Sequence, residues 1–240
     1  LPGWPFNNED TIWSSPALAD IDMDGLKEVI IGCDAWPYPN AGWLRVFNGD
    51  GSQVPGFPVR MPETPWSSPA VADIDGDGFY EIIIGTGHYY KATHQITTEG
   101  HRVLAYNHDG SPVPGWPVVV AGSTFTSPAV GDIDGDGLLE IAISTNSMYG
   151  IGSDNITVIK PDGRVMIDDP GVCGPHMSSC VMGDLTSDGK PEVVVGTGNA
   201  VGVYNQQGQL LVDQRLDNYF VTTPAVGDFD RDGKVEVACG

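Results

Sequence analysis

The sequence contains a short acidic pattern that could bind a metal ion. From Asp73 it reads D-I-D-G-D-G-F-Y-E, with carboxylates at positions 1, 3, 5 and 9 and a glycine at position 6. Calcium takes six to eight oxygen ligands, and carboxylates at alternate positions of a tight loop converge on one point. The glycine permits the turn that brings the next backbone carbonyl to that point. We therefore predict a calcium loop that is closed by the glutamate at position 9.

Near-copies of this pattern occur five times, with first aspartates 44 to 59 residues apart, and we number them loop one to loop five. The position-7 residue would contribute its backbone carbonyl. The predicted ligand sets are Asp20, Asp22, Asp24, Leu26 and Glu28; Asp73, Asp75, Asp77, Phe79 and Glu81; Asp132, Asp134, Asp136, Leu138 and Glu140; Asp184, Thr186, Asp188, Lys190 and Glu192; and Asp228, Asp230, Asp232, Lys234 and Glu236.

Five copies in register favour calcium over solvated Asp-Gly turns, which explain a single copy equally well. Loop four has Thr186 where the other loops have aspartate, so we predict that it binds more weakly or stays empty. Four or five calcium ions are therefore expected. Magnesium fits less well, because it demands octahedral geometry and keeps its waters.

Each acidic loop stands between two predicted strands. In the second repeat, S-P-A-V-A-D-I precedes the loop and E-I-I-I-G follows it. A third strand is predicted over Arg102–Gly110, ending on an Asp-Gly turn, and a proline-rich fourth strand over Pro112–Val118. We therefore predict an all-β fold: a β-propeller of four-stranded antiparallel blades, with the calcium loops between the first two strands of each blade. A β-sandwich would not explain five copies at this spacing.

The repeats predict a single β-propeller domain over residues 1–240, with about five blades. The blade that begins at Asp228 lacks later strands. Residues Pro2–Phe6 carry a P-G-W-P motif like that of the fourth strands and could complete it. The alternative, a piece of a larger ring, is equally compatible with the spacing.

The composition limits the class of partner. The chain has 11 basic and 32 acidic residues and a formal net charge of -21, so a nucleic acid or an anionic membrane surface is disfavoured. No run of 18 apolar residues is present, so membrane insertion is not predicted. The four cysteines form no C-x-x-C pair, and a disulfide between Cys173 and Cys180 stays open.

The repeats resemble the FG-GAP or VCBS-type repeats of integrin α-subunit propellers and of secreted microbial proteins. The resemblance covers the whole chain and rests on the D-x-D-x-D-G-x-x-E motif. It implies that the loop joins the first two strands of a blade, that it binds calcium at the matching positions, and that the protein is extracellular or at the cell surface. Glutamate replaces the family's aspartate at position 9, and no good F-G-x-G-A-P string is present. The secreted microbial proteins are therefore the closer likeness.

The segments between the second and third strands vary among repeats, as binding loops on a fixed scaffold do. Their aromatic and histidine residues could stack on sugar rings or anchor a protein partner, with local packing as the alternative. These candidate ligand-binding residues are Trp36, Tyr38, Trp43, His88, Tyr89 and Tyr90. A second aromatic series that recurs before each first strand, including Trp13, Trp66 and Phe125, is predicted to pack between blades.

No catalytic signature of a serine hydrolase, zinc protease, P-loop or dinucleotide-binding enzyme is present. We therefore predict a non-catalytic recognition, adhesion or structural module with a protein or glycan partner. The alternative is a polysaccharide lyase on the same propeller, which would use calcium and a basic residue. Lys91 is the best candidate for that residue, with Arg45 and Arg102 nearby in sequence.

Overall fold

The computed structural model describes residues 3–8, 11–35, 41–87, 100–147, 152–170, 178–197, 199–215 and 222–239. Within these residues the chain is all-β, and every strand pairing is antiparallel. No described helix is long and apolar enough to cross a membrane.

The strands form successive four-stranded sheets in sequence order, which is the strand order of a propeller blade. Blade one contains β1 (Ala17–Ala19), β2 (Glu28–Asp34), β3 (Gly42–Phe47) and β4 (Val59–Met61). Blade two contains β5 (Thr64–Pro65), which pairs with β7, and β6 (Ala70–Ala72), β7 (Glu81–Gly87), β8 (Arg102–Tyr106) and β9 (Val118–Val119). Blade three contains β10 (Ala129–Gly131), β11 (Glu140–Ser144), β12 (Ile156–Ile159) and β13 (Val165–Asp169). Blade four contains β14 (Val181–Gly183), β15 (Glu192–Thr197), β16 (Ala200–Tyr204) and β17 (Leu210–Arg215), and the described part of repeat five contains β18 (Ala225–Gly227) and β19 (Glu236–Ala238).

The hydrophobic core lies between successive sheets. Alternate residues of a strand point to opposite faces of its sheet. In β7, Ile82 and Ile84 pack against blade one, whereas Ile83 packs against blade three. Both faces of the second strand are therefore buried, which explains why its sequence is a continuous β-branched run and not an alternation of apolar and polar residues.

Hydroxyl groups connect each repeat to the next. The second residue of each S/T-S/T pair donates its backbone N–H to the hydroxyl of its equivalent in the following repeat. The four links are Ser15 to Ser68 (2.9 Å), Ser68 to Ser127 (3.3 Å), Ser127 to Ser179 (2.9 Å) and Ser179 to Thr223 (3.2 Å). This chain of hydrogen bonds gives the S/T-S/T pair its structural role in every repeat.

The P-G-W/F-P motif forms a turn, so the prediction that it is the fourth strand was wrong. In blade two the motif precedes β9, which contains only Val118 and Val119. The turn docks on the blade that follows: a Cβ on Gly115 would lie 2.1 Å from the carbonyl oxygen of Asp162. Trp116 Nε1 donates to the carbonyl of Pro161 at 2.8 Å. The glycine is required because a backbone of blade three occupies the space of a side chain.

The same docking occurs at two other places. A Cβ on Gly56 would lie 2.0 Å from the carbonyl oxygen of Asp109, and one on Gly3 would lie 2.2 Å from that of Asp50. Trp4 Nε1 donates to Gly49 O at 3.1 Å. The Gly3–Trp4 turn therefore contacts blade one as the turn of a preceding blade would.

Candidate metal-binding loops

The five acidic loops occupy equivalent places in the fold. Each follows the short first strand of its sheet and ends where the second strand begins, for example between β6 and β7 in blade two. The glutamate at position 9 is the first residue of the second strand, so the sheet itself fixes the position of its side chain. The predicted placement of the loops between the first two strands is confirmed.

The position-9 glutamate uses one carboxylate oxygen to hold the loop in place. Its Oε2 accepts a hydrogen bond from the backbone N–H at position 2 in every loop. The donor and acceptor pairs are Ile21 and Glu28 (2.8 Å), Ile74 and Glu81 (2.9 Å), Ile133 and Glu140 (2.9 Å), Leu185 and Glu192 (2.8 Å), and Phe229 and Glu236 (2.8 Å). The other oxygen, Oε1, is left for a different partner.

Backbone N–H groups hold the aspartates as well. In loop two, Asp73 accepts through both oxygens, Oδ1 from Gly76 N at 2.8 Å and Oδ2 from Gly78 N at 3.0 Å, and Asp77 Oδ1 accepts from Phe79 N at 2.8 Å. Asp75 Oδ1 accepts from Asp77 N at 3.2 Å. Gly78, at position 6, has a φ of 91°, a conformation that L residues rarely adopt. Backbone N–H groups thus orient each carboxylate so that its geometry is set before a cation arrives.

Carboxylate oxygens of the loops converge within 4.8 Å of one another. The converging groups are Asp20, Asp22 and Glu28; Asp73, Asp75 and Glu81; Asp132, Asp134 and Asp136; and Asp228, Asp230, Asp232 and Glu236. Two buried oxygens in these loops accept no hydrogen bond: Asp20 Oδ1 and Glu81 Oε1. Buried carboxylate oxygens are costly without a partner. The arrangement of the donor set therefore fits a hard, oxygen-preferring cation such as calcium.

Burial shifts the pKa of two position-9 glutamates, Glu81 and Glu28. Glu81 is 1 % exposed. Its burial raises its pKa to about 7, against the opposing effect of the Ile74 hydrogen bond, and the neighbouring aspartates raise it further. Burial likewise raises the pKa of Glu28. A bound divalent cation would reverse this effect, because it favours the ionised carboxylate.

This shift predicts how stability depends on pH when calcium is chelated. The folded-state pKa of Glu81, about 7, lies above its ordinary value of 4.5. Ionised Glu81 therefore destabilises the folded state. The free energy of unfolding falls as the pH rises from 4.5 through 7, by up to about 3 kcal/mol. Chemical denaturation in chelator measures the free energy of unfolding at pH 5 and at pH 7.5. The decrease between the two pH values should be smaller for Glu81→Gln than for the wild type. Equal falls in the two proteins would contradict this account.

Loop three differs from the others because a lysine side chain enters it. The Nζ of Lys160 lies 3.0 Å from Asp136 Oδ2 and 3.1 Å from Glu140 Oε1, and it also pairs with Asp134 Oδ2. These ion pairs raise the pKa of the ammonium above its usual range. The sequence reasoning missed this residue. The sequence does contain a signal for it: Lys160 follows the third strand of its repeat, where blades one, two and four have asparagine (Asn48, Asn107 and Asn205).

Loop four differs in its uncharged third position. Thr186 Oγ1 donates to Glu192 Oε1 at 3.1 Å, so the oxygen that is unpartnered in Glu81 has a hydrogen bond here. The loop keeps the backbone scheme of the others, with Gly189 N donating to Asp184 Oδ2 at 2.9 Å. It therefore retains its shape with one carboxylate fewer.

Most of the predicted ligand-binding residues of the variable segments, namely Trp36, Tyr38, His88, Tyr89 and Tyr90, lie outside the described residues. Trp43 lies in β3, paired with Cys33 on one side and Arg60 on the other, and not in a loop as predicted. The strand begins at Gly42 because that residue pairs with Asp34 at the end of β2. Of the recurrent aromatic series, Trp66 and Phe125 pack together with ring centroids 4.1 Å apart.

Two of the basic residues considered for a lyase have other partners. Arg102, at the end of β8 away from loop two, pairs with buried Glu63. Arg45 Nε donates to Asn8 Oδ1 at 3.0 Å, and its guanidinium lies 4.9 Å from the centroid of the Phe6 ring. Lys91 lies outside the described residues, as does Cys173.

The profile of the FG-GAP-like repeat family matches residues 20–84 and 184–239, which together make up half of the chain. The chain belongs to the FG-GAP-like repeat family. It is also similar to human integrin alpha-IIb, with 24% identity over 243 residues that cover 87% of this chain and 23% of that protein. This FG-GAP protein thus spans less than a quarter of the length of that relative, and the predicted resemblance to integrin propellers is confirmed.

Two solved structures show a distant likeness to the FG-GAP chain. The Vibrio cholerae biofilm matrix protein Bap1 has 20% identity and a TM-score of 0.45, covering 90% of this chain and 42% of its own. A gluconolactonase of Xanthomonas campestris has 14% identity and a TM-score of 0.48, covering 81% of this chain and 61% of its own. Both are too distant to carry any chemistry to this chain.

Proposed function

We propose that this FG-GAP protein is a calcium-binding β-propeller that acts outside the cell as a non-catalytic recognition, adhesion or structural module. The observation that carries the proposal is the shared hydrogen-bonding scheme of the loops. Backbone N–H groups hold the position-1, position-5 and position-9 carboxylates in place, and carboxylate oxygens of loops one, two, three and five converge. Such preorganised oxygen clusters at the start of the second strand suit calcium, which tolerates six to eight oxygen ligands.

Calcium in these loops would stabilise the blades. Each loop joins the first and second strands of one sheet, and its ligands come from both ends of the connection. In the absence of a cation, three or four carboxylates within one loop repel one another. A bound ion would therefore hold the first strand against the second and neutralise part of the net charge of -21.

Similarity to integrin alpha-IIb supports the extracellular location and the recognition role. We place the partner, a protein or a glycan, at the variable segments between second and third strands, at the opposite end of each blade from the acidic loops. Screening of a glycan array and of immobilised cell-surface proteins, with calcium and with chelator, tests this role. Calcium-dependent retention supports it. Release of unsaturated product from pectin fragments would establish the lyase alternative instead.

Calorimetric titration of the decalcified protein tests the metal sites. Three tight sites are expected in loops one, two and five, which have four carboxylates each and lack the Lys160 contact. Glu81→Gln, which removes one charge without changing shape, should abolish one site. The matched variant Asp109→Asn removes an aspartate that accepts hydrogen bonds from Ser111 outside the loops, and it should keep all three. Titration with no more than one tight site would refute the assignment.

A further inference from the structure

The ammonium of Lys160 lies among the carboxylates that form the cation site of loop three. It contacts oxygens of Asp134, Asp136 and Glu140, the last of which is fully buried, and its own side chain is only 17% exposed. These are the same types of oxygen that converge without a cationic partner in loop two. The ammonium of Lys160 therefore lies where, in the equivalent position of loop two, a free cation would bind.

The equivalent residues of the other blades cannot do this. Asparagine occupies the position in blades one, two and four, and its side chain stays within its own turn. Asn48 Nδ2 donates to Ser52 Oγ (3.0 Å), Asn107 Nδ2 to Ser111 Oγ (2.8 Å) and Asn205 Nδ2 to Gln209 Oε1 (3.0 Å). Among the four described turns that follow a third strand, the turn of blade three alone carries a charged side chain that is long enough to enter the acidic loop.

A second lysine reaches the same loop from the neighbouring repeat. Lys190 occupies position 7 of loop four, and its Nζ donates to the backbone carbonyl of Asp134. The corresponding residue of loop three, Leu138, approaches Gly76 of loop two with an uncharged side chain. Loop three is therefore flanked by two positive charges, whereas loop two has an apolar neighbour at the equivalent place.

A divalent cation and an ammonium cannot occupy this cluster together, because like charges at this separation repel strongly. Calcium could enter only if Lys160 left, with the loss of ion pairs to three carboxylates, one of them fully buried. An intramolecular cation also needs no free ligand concentration, so it fills the site whether or not calcium is present.

We infer that Lys160 is the resident cation of loop three, so that this blade keeps its loop ordered without calcium and binds calcium at least about tenfold more weakly than loops one and two. The inference rests on the proposed calcium sites of the other loops. It separates loops one, two and five, which depend on external calcium, from loop three, whose cation is the ammonium of Lys160.

Exchanging the lysine and the asparagine between blades tests the inference by calorimetric calcium titration. Lys160→Asn should add one tight site to the wild-type number, and Asn107→Lys should remove one. Arg164→Asn is the matched control, because Arg164 is in the same turn but pairs with Asp162 and is 76% exposed. It removes the same charge and should leave the number unchanged. An unchanged number in Lys160→Asn, or the same gain in Arg164→Asn, overturns the inference.

Hydrogen exchange in chelator supplies a readout that does not need calcium binding. The backbone of residues 133–138 should exchange more slowly than that of residues 74–79 in the wild type, and Lys160→Asn should remove the difference. Equal exchange of the two loops in the wild type would overturn the inference. Failure of the proposed function looks different: no protein of the series would bind calcium, while the difference in exchange would remain.

Discussion

Chelation of calcium is expected to lower the melting temperature of this protein by at least about 15 °C. A ligand that binds only the folded state at a thousandfold its dissociation constant adds about 4 kcal/mol per site. Three such sites in loops one, two and five would add on the order of 12 kcal/mol, comparable to the whole stability of an average domain. The effect is this large because each empty loop exposes the fold to repulsion among its own carboxylates.

Differential scanning calorimetry in millimolar calcium and in EGTA measures this effect. Magnesium at the same concentration should restore less than half of the lost stability, because the loops offer more oxygens than an octahedral ion uses. Glu81→Gln in calcium should fall between the two wild-type curves, and Asp109→Asn should match the wild type. A melting temperature that is unchanged after the removal of calcium has been verified by elemental analysis would contradict the prediction.

Substitution of Gly115 by alanine is expected to destabilise the protein by about 3 kcal/mol or more. Its φ is 90°, and a Cβ would lie 2.1 Å from the carbonyl oxygen of Asp162. The clash is with backbone of blade three, which cannot rotate away as a side chain could. Alanine would therefore push apart the turn and the blade on which it docks, and would strain the Trp116 hydrogen bond to Pro161.

Gly208→Ala is the control that separates the effect of the backbone clash from the effect of the positive φ. Gly208 has a φ of 73°, but the nearest atom to its Cβ would be a methyl carbon of Ile167 at 3.2 Å. It should cost only about 1 kcal/mol, the penalty of a left-handed conformation. Urea denaturation at saturating calcium compares the two variants. Equal losses would mean that the docking of the turn on the next blade contributes nothing.

The strands and the acidic loops were predictable because their signals are local. The β-branched run after Glu81 and the D-x-D-x-D-G pattern before it lie within a dozen residues, and they are repeated in register. The role of the P-G-W-P motif was not predictable in the same way. Its proline content was compatible with an edge strand. Its glycine, however, is required by a close contact with the backbone of Asp162, which belongs to the next blade.

Lys160 was missed for a related reason. The chain separates it from Asp134 by 26 residues, and only the antiparallel path of β11 and β12 returns it to the acidic end of the blade. Sequence comparison among the repeats does reveal a lysine in place of asparagine. It does not reveal that the end of the third strand lies beside the loop between the first and second strands, which is the fact that gives the lysine its meaning.

The chain of hydroxyl links from Ser15 to Thr223 bears on how such a protein could change in evolution. Repeats two, three and four each present one acceptor hydroxyl to the repeat before and one donor N–H to the repeat after. A duplication that inserts a whole repeat between two links would bring one of each, and every hydrogen bond in the series would still be made. The number of blades can therefore grow or shrink by unequal recombination without the invention of a new interface, while the segments between second and third strands diverge on their own.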